Sequence, residues 1–147
     1  MTDYDRNSRF AIMAQAQGDL TPLLDLAEAV LDGAGTTLTM VTPPRVGMVM
    51  LRLREPVDGT IFNAGEVLVT EAQVALEQHQ GYAMRLGRAP EATLAAAILD
   101  AAVEASHPLA PRILEQLDHL ATAEQDRQLA AWREVAATRV SFDEMNT

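Results

Sequence analysis

The sequence contains no cysteine, no lysine and few aromatic residues, and each shortage excludes a class of chemistry. Without cysteine the chain forms no disulfide, offers no thiol nucleophile and cannot hold a cysteine-ligated zinc ion or iron–sulfur cluster. Without lysine it cannot form a Schiff base, and it lacks the lysine of a phosphate-binding loop. Aromatic residues make up only 4% of the 147 residues, so aliphatic side chains, methionine and alanine must fill the core.

The excess of negative charge restricts the kind of partner that the chain can bind. The 21 acidic residues outnumber the 11 basic ones, all of them arginines, which gives a formal net charge of −10. We therefore expect neither nucleic acid nor a membrane as a partner, because both are anionic. Residues 1–5 lack the cationic head and apolar core of a signal peptide, and no run approaches the roughly 20 apolar residues of a membrane span. These features predict a cytoplasmic protein.

The apolar pattern predicts one α+β domain over residues 1–147. The predicted helices cover residues 7–17, 22–31, 90–105 and 112–138, and the predicted strands cover residues 36–42, 46–54, 65–77 and 81–87. Because the connections between the strands are short, we expect a mainly antiparallel sheet of about four strands. The N-terminal helices and two C-terminal helices, the last one long, should flank this sheet.

The last predicted helix is longer than a small domain requires. No glycine or proline interrupts residues 112–138, and at 1.5 Å per residue such a helix is about 40 Å long, against about 30 Å for the diameter of a small domain. Its later apolar stripe consists of Leu129, Trp132, Val135 and Ala136. We predict that this stripe packs against another chain. The alternative is a helix that bends or splits near residues 122–128 and folds back on its own domain.

The histidines and carboxylates do not form a recognisable catalytic or metal-binding pattern. The spacing of His79, His107 and His119 fits no zinc signature. With 21 acidic residues, pairs of carboxylates occur in any case and do not indicate acid–base catalysis. We therefore predict no metal ligand and no catalytic residue.

Four arginines are the strongest candidates for a ligand site. Arg52 and Arg54 alternate with leucines on a predicted strand, so both side chains should lie on one face. Arg85 lies on a neighbouring predicted strand, and Arg88 follows at the turn. Guanidinium groups gathered near one sheet edge can hold a phosphate or phosphonate. The alternative, which we favour for any single arginine, is a pair with a carboxylate on an adjacent strand. The carboxylates concerned are those of Glu55, Glu66 and Glu71.

The segment Phe62–Val67 predicts a bulge or tight bend at the entrance to the longest strand, because asparagine and glycine tolerate positive φ. Asn63 and Glu66 in this segment are further candidates for a ligand or interface site. Glu66 shares a face with apolar residues, so we expect its carboxylate to need a partner. Arg52, Arg85 or a group on another chain could provide it. A structural role for Glu66 is the favoured interpretation.

Several stretches of the sequence match one family pattern. One is Phe62–Thr70, in which the run Asn63–Thr70 is the most specific piece. The others are Gly47–Arg52, Gly81–Met84 with Gly87 and Arg88, Arg9–Ala14 and Ala137–Phe142. Together they resemble the PhnG family, a small subunit of the bacterial carbon–phosphorus lyase system. Family members often have arginine and cysteine after the threonine of the first stretch, where this chain has Glu71 and Ala72. Ala64 replaces the usual leucine. A role for that arginine or cysteine is therefore not carried over to this chain.

The resemblance implies a function that composition alone does not. In this system a four-subunit core complex works with an ATP-binding-cassette-like subunit. Together they displace adenine from ATP with a phosphonate and make ribose 1-phosphonate 5-triphosphate. A separate radical-SAM subunit cleaves the carbon–phosphorus bond, and the nucleosidase chemistry is attributed to the large partner subunit. The resemblance thus implies a scaffold or accessory subunit of this transferase, without a cofactor or catalytic residue of its own.

The implied partners are the other core subunits, in a hetero-oligomer expected to contain more than one copy, and a homodimer is a further possibility for the isolated chain. The alternative function is a freestanding phosphate- or phosphonate-binding module or enzyme that uses the four clustered arginines. Tight binding of ATP or a phosphonate by the purified chain would favour this alternative.

Overall fold

A computed structural model describes residues 4–33 and 35–138 of the chain. Four helices and three strands follow one another in these residues, and the strands form one antiparallel sheet in the order β1-β2-β3. The elements are α1 (Arg6–Gln15), α2 (Thr21–Leu31), β1 (Leu38–Arg54), β2 (Ile61–Leu76), β3 (His79–Leu86), α3 (Pro90–Glu104) and α4 (Ala110–Ala137). The predicted α+β class is thereby confirmed. Two segments used in the sequence analysis, residues 1–3 and 139–142, lie outside the described residues.

The sheet in the described residues has three strands, whereas the sequence predicted about four. The two strands predicted at 36–42 and 46–54 are one continuous strand, β1, which runs through Pro43 and Pro44. Proline has no N–H group to donate, but an edge strand accommodates it because no neighbouring strand needs that donor. β1 lies at the edge of the sheet, so the two prolines disturb its register with β2 and do not end the strand.

The β1–β2 pair is much longer than the β2–β3 pair. β1 and β2 are paired from Leu38 opposite Leu76 to Arg54 opposite Ile61, whereas β3 pairs only with Val69–Leu76. The predicted bulge is present, because the register shifts between Leu51 and Arg52 and the φ of Gly65 is 141°. The far half of the hairpin therefore extends beyond β3. We call this part, residues 48–54 and 61–68, the β-arm.

The core lies between α3 and one face of the sheet. The buried residues of α3 are mostly small, namely Thr93, Ala95, Ala96, Ala97, Ile98, Leu99, Asp100, Ala101 and Ala102. Gly81 of β3 lies directly beneath them, and a Cβ placed there would be 2.6 Å from the backbone nitrogen of Ala101. The small side chains on both sides allow α3 to lie close against the sheet, with Leu23 and Val30 of α2 completing this core.

α4 is one continuous helix of 28 residues, about 42 Å long at 1.5 Å per residue. Ile113, Leu117 and Leu120 in its first half are buried, whereas every residue from 128 to 138 is exposed. The alternative expectation of a helix that splits near residues 122–128 and folds back is wrong, because the helix is unbroken there. None of the helices in the described residues is long and apolar enough to cross a membrane.

Candidate functional site

The β-arm carries apolar side chains on both of its exposed faces. Met48 is 57% exposed and lies opposite Leu68, and Leu53 lies opposite Phe62. Cross-strand partners share a face, and Met48 and Leu53 are an odd number of residues apart, so the two pairs lie on opposite faces. The other exposed apolar residues of the arm and its connecting turn are Met50, Leu51, Val57 and Ile61. Contiguous apolar surface of this kind marks sites of protein interaction.

Three of the predicted site residues lie together near the tip of the β-arm. Arg52 and Asn63 are cross-strand partners, and Arg54 lies two residues further along the same strand and on the same face. All three are exposed. The Arg54 guanidinium donates a hydrogen bond of 2.8 Å to the backbone oxygen of Gly59 in the turn. Arg52 and Arg54 were predicted to lie on one face of a strand, and both lie on the same face of β1.

Glu66 also lies on the β-arm, opposite Met50. Its side chain is exposed to solvent, because the arm extends beyond the helices that cover the rest of that face. Among the ion pairs of residues 4–33 and 35–138, none joins Glu66 to Arg52 or to Arg85. Neither Arg52 nor Arg85 is therefore the ion-pair partner of Glu66 in the described residues, and a partner on another chain stays a prediction.

Arg85 is buried and holds the end of α1. Its two terminal nitrogens donate to the backbone oxygens of Met13 and Ala16, and its Nε is buried without a partner. Burial lowers the pKa of this guanidinium, but arginine remains protonated at neutral pH. A cation at the C-terminal end of a helix also interacts favourably with the helix dipole. Arg85 therefore has a structural function in the fold.

The arginines of the predicted ligand site do not surround one point. Arg85 lies opposite Thr70, which is itself paired with Val46, and Arg52 lies opposite Asn63. Six residues of β1 at about 3.3 Å each, from Val46 to Arg52, separate these positions by about 20 Å. A single phosphate or phosphonate group cannot contact both. Arg88 is exposed beyond the end of β3. The ligand role of Arg52, Arg54 and Arg88 stays a prediction.

A polar chain links the three strands on the face of the sheet opposite α3. The Arg45 Nε donates to Glu71 at 2.6 Å, and the Tyr82 hydroxyl donates to the other carboxylate oxygen at 3.0 Å. These hydrogen bonds, first that from Arg45 and then that from Tyr82, lower the pKa of Glu71. Burial, with a further contribution from Glu71, raises the pKa of Tyr82. Glu71 stands where the family pattern often has arginine, and the adjacent Ala72 is fully buried in the core.

A buried polar cluster between α1, α3 and β3 is not among the sites predicted from the sequence. Asp100 is 2% exposed and accepts hydrogen bonds from Arg6, from Arg9 and from the backbone N–H of Tyr82. Arg9 is also buried and forms a second ion pair with Glu104. The signal was present in the sequence, because Asp100 interrupts the apolar stripe of α3 and a buried carboxylate requires a cationic partner.

The exposed end of α4 is the second apolar surface of the chain. Trp132 is 68% exposed, Val135 is 62% exposed and Leu129 is 48% exposed, and Ala136 is exposed beside them. Residues three and four apart on a helix lie on one face, so these side chains form one stripe. We call it the α4 stripe. No described part of the chain buries it.

A cavity of about 400 Å³ lies between α2 and α4. Asp25, Arg112, Glu115 and His119 contribute its charged or titratable lining. This mixture of signs favours no single class of ligand. Within residues 4–33 and 35–138, no three or more histidine, aspartate or glutamate side chains are grouped closely enough to hold a metal ion.

Comparison with known proteins assigns the chain to a family. A family model described as phosphonate metabolism protein PhnG matches residues 4–146, nearly the whole chain. The match includes the β-arm and α4, and it confirms the resemblance inferred from the sequence stretches. No curated protein matches the chain.

Proposed function

The chain belongs to the PhnG family of phosphonate metabolism proteins, and from this premise we propose that it is an accessory, scaffold subunit of a carbon–phosphorus lyase core complex. In this role it supports a transferase whose other subunits replace the adenine of ATP with a phosphonate. The product of that reaction is ribose 1-phosphonate 5-triphosphate. The chain itself contributes binding surfaces and no reacting group.

The α4 stripe is the observation that carries the proposal. The last ten residues of the helix are all exposed, yet they include the apolar residues Leu129, Trp132 and Val135. Exposed apolar residues on an unsupported helix add nothing to the stability of the isolated chain. They become favourable when another protein covers them, at about 25 cal/mol per Å² of apolar surface buried.

The alternative, a freestanding phosphate- or phosphonate-binding protein, is less well supported. One of its four arginines, Arg85, is engaged with α1. Arg52 lies about 20 Å from the position of Arg85, measured along the strands. The remaining arginines are exposed, where single ion pairs contribute little, typically about 0.2–1 kcal/mol each.

Co-purification tests the proposal. The full chain is co-expressed with the other core subunits, one of which carries an affinity tag, and is compared with the variant Trp132→Asp/Val135→Asp. We expect the unaltered chain to be retained and the variant to be lost, because two carboxylates at the α4 stripe would have to be desolvated at the interface.

The matched control for this experiment is Ala130→Asp/Ala137→Asp. These two alanines are also exposed and lie on the opposite face of the same helix, so the control adds the same charge to the same turns. We expect it to be retained like the unaltered chain. Equal retention of both variants would contradict a role for the α4 stripe, and failure of the unaltered chain to co-purify would contradict the subunit role. Calorimetric titration of the isolated chain with ATP and with methylphosphonate tests the alternative, which requires tight binding.

A further inference from the structure

The outer edge of β1 lacks a neighbouring strand over residues 46–54. β1 is an edge strand, paired on one side with β2. An edge strand presents a row of backbone N–H and C=O groups that can pair with another chain, and proteins usually protect such edges. These nine residues contain no proline, so every residue has a donor and an acceptor.

The other edges of the sheet are protected. On β3, Asp100 accepts the backbone N–H of Tyr82 at 3.1 Å, and Arg6 donates to the backbone oxygen of Gln80 at 2.8 Å. The part of β2 beyond β3 is interrupted by the bulge at Gly65. The first half of β1 contains Pro43 and Pro44, which cannot donate. Prolines, bulges and charged side chains are devices that discourage pairing at an edge. Residues 46–54 contain no proline, and their charged residues are the two arginines Arg52 and Arg54, which disfavour a cationic strand and leave the backbone groups available to an anionic one.

The charge on β1 indicates what kind of strand can pair with this edge. β1 contains three of the 11 cations of the chain, Arg45, Arg52 and Arg54, and no acidic residue, although the whole chain has a net charge of −10. A second copy of β1 would bring no carboxylate to Arg52 and Arg54 in any register, since β1 contains no acidic residue, and where the register placed arginines side by side their like charges would be destabilising. An acidic strand would instead place carboxylates beside Arg52 and Arg54. Leu51 and Leu53 on the other face favour apolar residues at the alternate positions.

We propose that residues 46–54 accept an extended segment of another protein as a fourth strand, in which acidic residues alternate with apolar ones. The acidic side chains lie beside Arg52 and Arg54, and the apolar side chains continue the face of Leu51 and Leu53. Added strands of this kind gain affinity from main-chain hydrogen bonds and specificity from alternate side chains. The inference rests on the proposed subunit role, since a partner subunit would provide the segment.

The experiment uses the full chain and a synthetic probe. A capped, fluorescein-labelled nine-residue peptide of alternating glutamate and valine is titrated by fluorescence anisotropy. A peptide with lysine in place of glutamate is the charge control. We expect the acidic peptide to bind, to slow amide hydrogen exchange in residues 46–54, and to bind more weakly as the salt concentration rises. The lysine peptide should not bind.

The variant Arg52→Glu/Arg54→Glu tests the role of the two arginines. We expect it to weaken binding of the acidic peptide by about tenfold or more, which corresponds to about 1.4 kcal/mol. The control Arg112→Glu/Arg133→Glu changes the net charge of the chain equally, at exposed positions of α4, and should bind like the unaltered chain. Equal weakening by both variants would show a non-specific charge effect and would overturn the inference.

Two further outcomes would also overturn the inference. One is the absence of both binding and exchange protection with the acidic peptide. The other is concentration-dependent protection of residues 46–54 without peptide, which would identify a second copy as the occupant. The inference and the proposed function can fail separately. If the unaltered chain co-purifies with the core subunits but the peptide does not bind, only the strand inference fails. If the peptide binds but the chain does not co-purify, only the subunit role fails.

Discussion

Gly81 determines how closely the sheet approaches α3. A Cβ at this position would be 2.6 Å from the backbone nitrogen of Ala101 and 2.7 Å from its Cβ. Neither the helix backbone nor an alanine methyl can rotate away, so the two layers must separate. We expect Gly81→Ala to lower the free energy of unfolding by about 3 kcal/mol, the upper part of the range for overpacked cores. Chemical denaturation of the purified variant measures this loss.

Gly47→Ala is the control for this substitution. Gly47 also lies in a strand, but a Cβ there meets no atom within 4 Å. Its effect should stay within about 0.5 kcal/mol, as for most surface substitutions. If the two variants lose equal stability, the loss at Gly81 comes from the strand conformation and not from contact with α3.

The burial of Arg85 follows from the alternation of side chains along β3. Gly81, Ala83 and Arg85 alternate along β3, and all three are buried on the face toward α3. Strand periodicity therefore predicts that Arg85 points inward. Its partners could not be predicted, because Met13 and Ala16 provide backbone oxygens, and every residue has such an oxygen whatever its side chain.

At the scale of secondary structure elements, the Glu71 side chain connects the three strands by hydrogen bonds. It lies on β2 and accepts from Arg45 on β1 and Tyr82 on β3. These donors hold the pKa of Glu71 below its ordinary value, so the ionised form favours the folded state. A carboxylate with a lowered pKa in the fold contributes stability above its unfolded pKa of about 4.3, and this contribution disappears as the pH falls through the lower folded value.

Comparison with Glu71→Gln tests this contribution across pH. We expect the unaltered chain to be the more stable of the two at pH 7, with the difference shrinking below about pH 4. Urea denaturation of both proteins at several pH values measures it, and the remaining acidic residues are common to both and cancel. A difference that stays constant from neutral to acidic pH would mean that ionisation of Glu71 does not stabilise the sheet.

The elements differ in how well the sequence predicts them. α4 was predicted well because no glycine or proline lies between its ends, and a continuous helix follows from that absence. The two halves of β1 were predicted as separate strands because Pro43 and Pro44 usually end a strand. Whether they do depends on whether the strand is central or at an edge, and that position is decided by pairing with distant residues. The structure places β1 at the edge.

In the molecule as a whole, the covered and uncovered surfaces are clearly separated. α1, α2, α3 and the first half of α4 cluster with one face of the sheet, whereas the β-arm and the α4 stripe extend away from this core with apolar side chains exposed. The sequence predicted the second of these surfaces from the length of the helix and the spacing of its apolar residues. It did not predict the first, because the β-arm arises from the difference in length between two strand pairings.

The single tryptophan reports directly on whether the α4 stripe is covered. Trp132 is 68% exposed, so in the dilute isolated chain we expect an emission maximum close to that of free tryptophan and efficient quenching by acrylamide. Assembly with the core subunits should shift the emission to shorter wavelength and reduce quenching, because the indole moves from water into an interface. The reference is the same complex assembled with Trp132→Phe, so that any emission from tryptophans of other subunits is subtracted.

Light scattering on the same sample shows whether the isolated chain is a monomer or a dimer, and this decides how the fluorescence of Trp132 is interpreted. A blue-shifted, poorly quenched Trp132 in a dimeric sample would mean that a second copy covers the α4 stripe, as expected for a homodimer of the isolated chain. The same spectrum in a monomeric sample would contradict the exposed position of Trp132 and remove the main support for the subunit role. An exposed tryptophan that stays exposed in the assembled complex would transfer the binding role to the β-arm, where the β1 edge and its arginines provide another uncovered surface.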